Sequence, residues 1–294
     1  MSNSQLGLSD RELETMEAFR ENRTAAVTGA AGGLGACFSR KLAKRGYALL
    51  VIDRREPQVQ QLGDELATKY GIRAEALTAD LTDDDAVKSV AHRLATTPSL
   101  ELLVNNAGFG LAKYVIDADV EQHLDMIRVH VMATVRLTCA ALPGMIERNR
   151  GSVVNVSSLA AWTPCAGGVP YASTKAYVAV FSQGLQDELR DTNVRIQALC
   201  PGFVYTDFHG ADGMKSFDPE KVPKQLWMSP DDVVECSLKN LSRRRVIVIP
   251  GWRNSILGRF MQMPVLQPIV RAIARRERSH DTEAGANERG KTDG

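Results

Sequence analysis

The sequence predicts one α/β domain built on a doubly wound parallel sheet with helices on both faces, and three observations carry that expectation. Short apolar, β-branched strands alternate with longer helical patterns from Thr24 to about residue 250. A glycine-rich turn directly follows the first strand and opens the first helix. No Pro/Gly/Ser-rich linker divides the 294 residues. Parallel strands need crossover connections, and right-handed crossovers dominate, so such an alternation winds back onto a single sheet.

The elements follow in order. Ser9-Asp10-Arg11-Glu12 has the form of a capping box, which predicts a short helix over residues 10–21 ahead of the main unit. Thr24–Thr28 then reads as a strand, Leu34–Arg45 as a helix, and Tyr47–Asp53 as a strand. Pro57–Tyr70 is a helix, Arg73–Ala79 a strand, Asp83–Ala95 a helix, and Glu101–Val104 a short strand. Val120–Arg148 is a long helical stretch that Pro143 is expected to end or kink, since proline lacks the N–H that the helix needs. Ser152–Val156 is the central strand, Tyr171 opens a helix running to about Asp191, and Val194–Cys200 is a strand. The chain therefore divides into an N-terminal extension (1–23), the α/β unit (24–250) and a C-terminal extension (251–294). Beyond Ser279 the extension is rich in Gly, Asn, Asp, Glu and Lys and is expected to be disordered.

Composition narrows the possible functions. Lys and Arg number 36 against 35 Asp and Glu, a net charge of +1 that gives no global attraction for nucleic acid. The five cysteines, Cys37, Cys139, Cys165, Cys200 and Cys236, are scattered, with no C-x-x-C pair and no metal-ligand spacing. Reduced thiols in the cytoplasm and no metal site are the expectation. The first residues lack a basic stretch followed by an apolar one, and no apolar run approaches the roughly 18 residues of a membrane span, so neither an export signal nor a span is expected.

Two motifs carry chemistry. In the first, Thr28-Gly-Ala-Ala-Gly-Gly-Leu-Gly35, glycines 29, 33 and 35 allow a tight turn and a close approach of backbone to a pyrophosphate, with Leu34 entering a helix whose N-terminus offers unpaired N–H groups. In the second, Tyr171 and Lys175 stand one helical turn apart, so the ammonium is expected to lower a phenol pKa that is ordinarily about 10. Ser158, on the loop leaving the central strand, is placed to hydrogen-bond the same substrate oxygen.

These residues, with Asn105-Asn106-Ala107-Gly108 and the Pro201-Gly202 turn that reaches Val204 and Thr206, resemble the short-chain dehydrogenase/reductases from Thr24 to Ile249. The texture of Leu142–Ser158 is similar to broad-substrate, acyl and steroid-type reductases of that family. The resemblance implies a Rossmann-like fold and hydride transfer to or from a nicotinamide. It makes Tyr171 the general acid/base, Ser158 the residue that positions the substrate oxygen, and Lys175 the ligand of the nicotinamide ribose. The Pro201–Thr206 loop would contact the carboxamide, Asn106 to Gly108 the cofactor's floor, and Asp80 with Leu81 the adenine. One position departs from the family: His130 stands where a proton-relay asparagine is usual. Three readings stay open, namely a harmless replacement, a relay titrating near neutrality, and a sign of weakened catalysis.

Asp53, ending the second strand, is placed to bind the adenosine ribose hydroxyls and repel a 2'-phosphate, which favours NAD; the neighbouring Arg54 leaves NADP open. Phe109, Trp162, Tyr205 and Phe208, in or near a long covering loop that reaches Trp227, suggest an apolar pocket for a small alcohol or ketone. His209, Met214, Phe217 and Met228 lie in the same neighbourhood. Residues 252–278 mix large apolar side chains with arginines, and packing, oligomer contact and peripheral membrane binding all remain open for them. The resemblance implies a homodimer or homotetramer. The leading reading is an NAD(P)-dependent alcohol dehydrogenase or ketone reductase, and the alternative is a non-catalytic, redox-sensing protein on the same fold.

Overall fold

The computed structural model describes residues 23–163, 167–210, 212–214, 218–243 and 245–262. The helix expected over residues 10–21, Cys165, Phe217 and the extension beyond residue 262 lie outside them.

Nine strands and eight α-helices are formed among the described residues. In chain order they are β1 (Thr24–Thr28), α1 (Gly33–Ala43), β2 (Ala48–Asp53), α2 (Glu56–Tyr70), β3 (Ala74–Thr78), α3 (Asp84–Ala95) and β4 (Leu100–Asn105). Next come α4 (Val120–Ile127), a π-helical segment (Arg128–Ala133), α5 (Thr134–Glu147), β5 (Gly151–Val156), α6 (Val169–Glu188) and β6 (Val194–Leu199). The chain continues through β7 (Phe203–Val204), β8 (Trp227–Met228), α7 (Pro230–Asn240), β9 (Ile247–Val248) and α8 (Trp252–Gln262). Seven strands form one parallel sheet in the order β3-β2-β1-β4-β5-β6-β9, and β7 and β8 pair separately. The order reverses between β1 and β4, which opens a crevice above their carboxyl ends.

Apolar side chains cover both faces of the sheet. Phe38 and Leu42 of α1, Val59, Leu62 and Leu66 of α2, and Val233 and Val234 of α7 pack on one face. Val87, Val90 and Leu94 of α3 with Leu137, Ala141 and Met145 of α5 pack on the other. Each such buried Leu or Phe contributes roughly 1.5–3 kcal/mol of transfer free energy. β1 is buried along its whole length, as a central strand sandwiched between two helical layers must be.

The long helical stretch differs from expectation. It continues through Pro143, whose missing donor is cheap because Pro143 and Cys139, the carbonyl it would have served, both face solvent. The break falls instead at Arg128–Ala133, where one π turn swings His130 into the interior. Taken together, Val120–Glu147 is long and apolar enough to cross a membrane, contrary to the reading of the sequence, but 50% of its apolar window is buried inside the fold, as suits a core helix.

A buried polar chain runs below the site. Asn105 Nδ2 donates to Thr138 Oγ1 and to Asn155 Oδ1, Asn155 Nδ2 donates to Ser182 Oγ, and Ser182 donates to the Val178 carbonyl. It ties β4, β5, α5 and α6 together. Asn155→Ala is expected to cost about 1–3 kcal/mol by stranding these partners, seen as a lower urea midpoint at unchanged m-value; an unchanged midpoint would remove the chain from the stability account.

Candidate active site

The glycine turn is shaped by contacts that only hydrogen in place of a side chain permits. Gly29 and Gly33 take φ of 61° and 50°, and a Cβ on Gly35 would collide with the Gly29 carbonyl oxygen. α1 then begins at Gly33 behind Gly32 as its N-cap, with no side chain capping its first N–H groups and no acidic residue in its first turn. A donor-rich, uncapped helix end beside a glycine turn fits a pyrophosphate. The turn is anchored from β4: Asn106 Nδ2 donates to the Thr28 and Gly29 carbonyls, while Thr28 Oγ1 accepts from Asn106 N and Ala107 N. Leu34 packs into the core behind the turn.

Asp53 ends β2 as expected but is not free. Its carboxylate accepts from Ala31 N at 3.0 Å, from Arg55 N at 3.0 Å, and from Arg55 Nε and Nη2 at 3.0 and 3.1 Å. Burial alone would raise its pKa; the Arg55 side chain, the Arg55 N–H and the Ala31 N–H outweigh that and hold the carboxyl below its usual range. Arg54, the sequence candidate, and Arg55 are both exposed, but it is an Arg55 nitrogen that lies 3.1 Å from where a Cβ on Gly32 would stand. Arg55 is thus the arginine over the glycine turn. Asp80 is exposed at the end of β3, its Oδ1 accepting from Thr82 N and Oγ1, and Leu81 is buried beside it.

Ser158, Tyr171 and Lys175 come together at the head of α6. Ser158 leaves β5 in an extended conformation, its hydroxyl accepts from Ala160 N at 3.1 Å, and it lies near enough to the Tyr171 phenol to lower that group's pKa. Lys175 Nζ donates to the Val156 carbonyl at 2.9 Å and lies 5.7 Å from the Tyr171 ring centroid. The expected lowering of the phenol pKa does not occur. Enclosure pushes Tyr171 up to about 12 against a smaller opposing effect of the Ser158 hydrogen bond, and burial brings Lys175 down to about 8. The ammonium is turned towards a backbone carbonyl, and desolvation outweighs it at the phenol.

Around this trio stand rings and glycines. His130 is T-shaped to both Phe109 and Tyr171, with centroids 5.7 and 5.8 Å apart, and Phe208 lies 5.9 Å from Tyr171. Gly108 backs onto His130, where a Cβ would stand 2.7 Å from Nε2. Trp162 closes the turn after Ser158. Tyr205, by contrast, is 57% exposed and stacks on Trp227 at 4.9 Å, so the structure does not bring it to the trio. The Pro201–Thr206 loop runs alongside: the Pro201 carbonyl accepts from Leu159 N, Val204 is buried, and the Thr206 side chain lies 3.4 Å from where a Cβ on Gly33 would stand. Gly202 packs against the buried Asn254 of α8, which donates to the Leu226 carbonyl.

A family model described as short chain dehydrogenase matches residues 23–215. The chain belongs to the short-chain dehydrogenases. An uncharacterized oxidoreductase of Myxococcus xanthus is 34% identical over 257 residues, covering 87% of this chain and 98% of its own. The NADP-dependent 3-hydroxy acid dehydrogenase of Schizosaccharomyces pombe is 32% identical over 237 residues, covering 78% and 90%. Among solved structures, a short-chain dehydrogenase from Sphingobium yanoikuyae in complex with NADPH superposes with a TM-score of 0.73 at 27% identity, covering 92% of this chain and 96% of its own. As a member of this family the protein is a nicotinamide-dependent oxidoreductase with a Rossmann-like fold.

Sequence reasoning missed Arg55, which clasps Asp53, and Asn254, which packs on Gly202, and it named Thr28 without the role its hydroxyl plays in holding Asn106 and Ala107. Arg55 alone left a usable signal, since it lies two residues beyond the acid of β2. Two glycine substitutions separate cradle from scaffold. Gly35→Ala is expected to abolish cofactor binding, while Gly184→Ala, in the middle of α6 with nothing within 4 Å of the new methyl, should bind normally. The latter should also gain about 0.5–1 kcal/mol; calorimetric titration and thermal melts check both, and cofactor binding by the Gly35 variant would refute the assigned cradle.

Proposed function

We propose that this short-chain dehydrogenase is an NADP(H)-dependent reductase of apolar ketones, running in reverse on secondary alcohols, with Tyr171 as the general acid. The observation that carries the reading is the placing of Ser158 and Lys175 beside the Tyr171 phenol, with the His130 and Phe208 rings against that of Tyr171. The bound nicotinamide supplies the hydride in reduction. A ketone oxygen held by the Ser158 hydroxyl takes its proton from the Tyr171 phenol, which its raised pKa keeps protonated at neutral pH. Lys175, with one N–H spent on Val156, keeps donors for the ribose hydroxyls. The rings beside Tyr171 favour an apolar substituent on the carbonyl.

NADP(H) replaces the NAD expected from Asp53 alone because Arg55 neutralises that carboxylate and rests over the glycine turn, where a 2'-phosphate would meet a guanidinium. The NADP-dependent relative and the NADPH-bound neighbour point the same way. The non-catalytic reading leaned on His130, and an imidazole whose two nitrogens are both engaged supports a structural replacement.

The test is turnover of a panel of apolar ketones with NADPH and NADH by the protein and its Tyr171→Phe variant. Tyr171→Phe is expected to abolish turnover while leaving NADPH affinity within about twofold. Reduction should hold steady from about pH 6 to 7 and fall through about pH 8 as Lys175 loses its proton, whereas alcohol oxidation, which needs the ionised phenol, should climb with pH. Undiminished turnover by the Phe variant would refute the assignment. Arg55→Ala should weaken NADPH binding by about 10-fold or more, the loss of one charge-assisted contact, and leave NADH equal or better as Asp53 is released; equal losses for both cofactors would remove Arg55 as the selector.

A further inference from the structure

The loop that follows β4 and the helix that carries Tyr171 are joined through one side chain. Phe109 N lies 3.0 Å from His130 Nε2, His130 Nδ1 lies 2.9 Å from Thr174 Oγ1, and Thr174 Oγ1 donates to the Tyr171 carbonyl at 2.9 Å. A backbone N–H can only donate, so Nε2 accepts and the imidazole proton is assigned to Nδ1, which donates to Thr174. The Thr174 hydrogen is already committed to the Tyr171 carbonyl, which fixes the same direction from the other end. No atom of this chain has a proton to spare, and His130 is 1% exposed.

The far side of the loop carries the covering segment. Ala112 N donates to the Gly213 carbonyl at 2.7 Å, and Gly110 packs so closely against Met214 and Phe208 that a methyl group there would overlap Met214. Phe208 in turn faces the Tyr171 ring. Contact therefore passes from Gly213 and Met214 through the loop to His130, and from His130 through Thr174 to Tyr171.

We propose that His130 is a positioning residue, a neutral imidazole protonated on Nδ1 that holds the Phe109 loop, and the segment seated on it, in register with Tyr171 and moves no proton in the reaction. The titratable groups beside it are Tyr171 and Lys175 of α6; the loop presents the Gly108 and Phe109 backbone and the Phe109 ring. Burial first and the Lys175 charge second push the imidazole well below its ordinary value, which keeps it neutral through the working range. The π turn at Arg128–Ala133 serves the same end by aiming the ring inward.

Hydrogen exchange tests the latch without any substrate, and kinetics tests its consequence; only the kinetic arm rests on the ketone-reductase reading. Exchange in the peptide spanning residues 106–114 should be slow in the wild type and in Thr174→Ser. It should quicken by about tenfold in His130→Leu and in Thr174→Val, and no further in the double variant, because both remove parts of one chain. With NADPH and a ketone, His130→Leu and Thr174→Val should each raise KM for the ketone by about tenfold with kcat changed less than about threefold, and Thr174→Ser should leave both unchanged. The His130 nitrogen resonances should report the Nδ1–H tautomer from pH 6 to 8. Additive exchange effects, an unaffected Thr174→Val variant, an imidazolium or Nε2–H signature, or a fall in kcat confined to His130→Leu would each overturn the proposal. If the wild type reduces no ketone, the substrate reading fails and exchange with the tautomer decides the latch alone.

Discussion

The pairing of Thr28 with Asn106 is the contact on which the rest of the site depends. It lies where the strand order reverses, between β1 and β4, and uses nearly every polar atom of both side chains. Thr28 Oγ1 accepts two backbone N–H groups from the β4 loop, and Asn106 returns two hydrogen bonds to the carbonyls that open the glycine turn. One stitch thereby fixes the cradle on one side of the crevice and the Asn106–Ala112 loop on the other. Such bonds are worth little each in net free energy, but leaving them unmade inside the protein is costly, so the two walls of the crevice are held at one separation.

Desolvation then sets the chemistry. Tyr171, Lys175 and His130 are all pushed towards their neutral forms, chiefly by enclosure. A neutral phenol is the acid form, the state that the proposed carbonyl reduction would consume. The same enclosure makes His130 a fixed hydrogen-bonding piece, and the Asp53–Arg55 pair is the counter-case, a charge kept because four donors surround it.

Much of this was legible in the sequence because it depends on local patterns. Alternating strand and helix periods located β1 to β6 to within a residue or two at most boundaries, and the i, i+4 spacing put Tyr171 and Lys175 on one face of α6. What escaped depends on contacts between distant segments. Asp53 looked free because the sequence cannot show a guanidinium folding back two residues to clasp it, and the arginine next to Asp53, Arg54, was named where the fold brings Arg55 to Gly32. Pro143 looked like a helix end because its exposure, which makes the lost bond cheap, is a tertiary fact. α7 was overlooked although Ser229 and Pro230 are an N-cap signal, with Ser229 accepting from Asp232 N. The phenol pKa was misjudged because spacing shows proximity to a lysine but not which way its ammonium turns.

The most direct test of hydride transfer assisted by Tyr171 is to supply NADPH deuterated at the transferable C4 position with an apolar ketone, and to weigh the alcohol formed. One deuterium on the carbinol carbon with the wild-type protein, and none with Tyr171→Phe, is the result expected. Product lacking deuterium, or labelled equally by both proteins, would contradict the account.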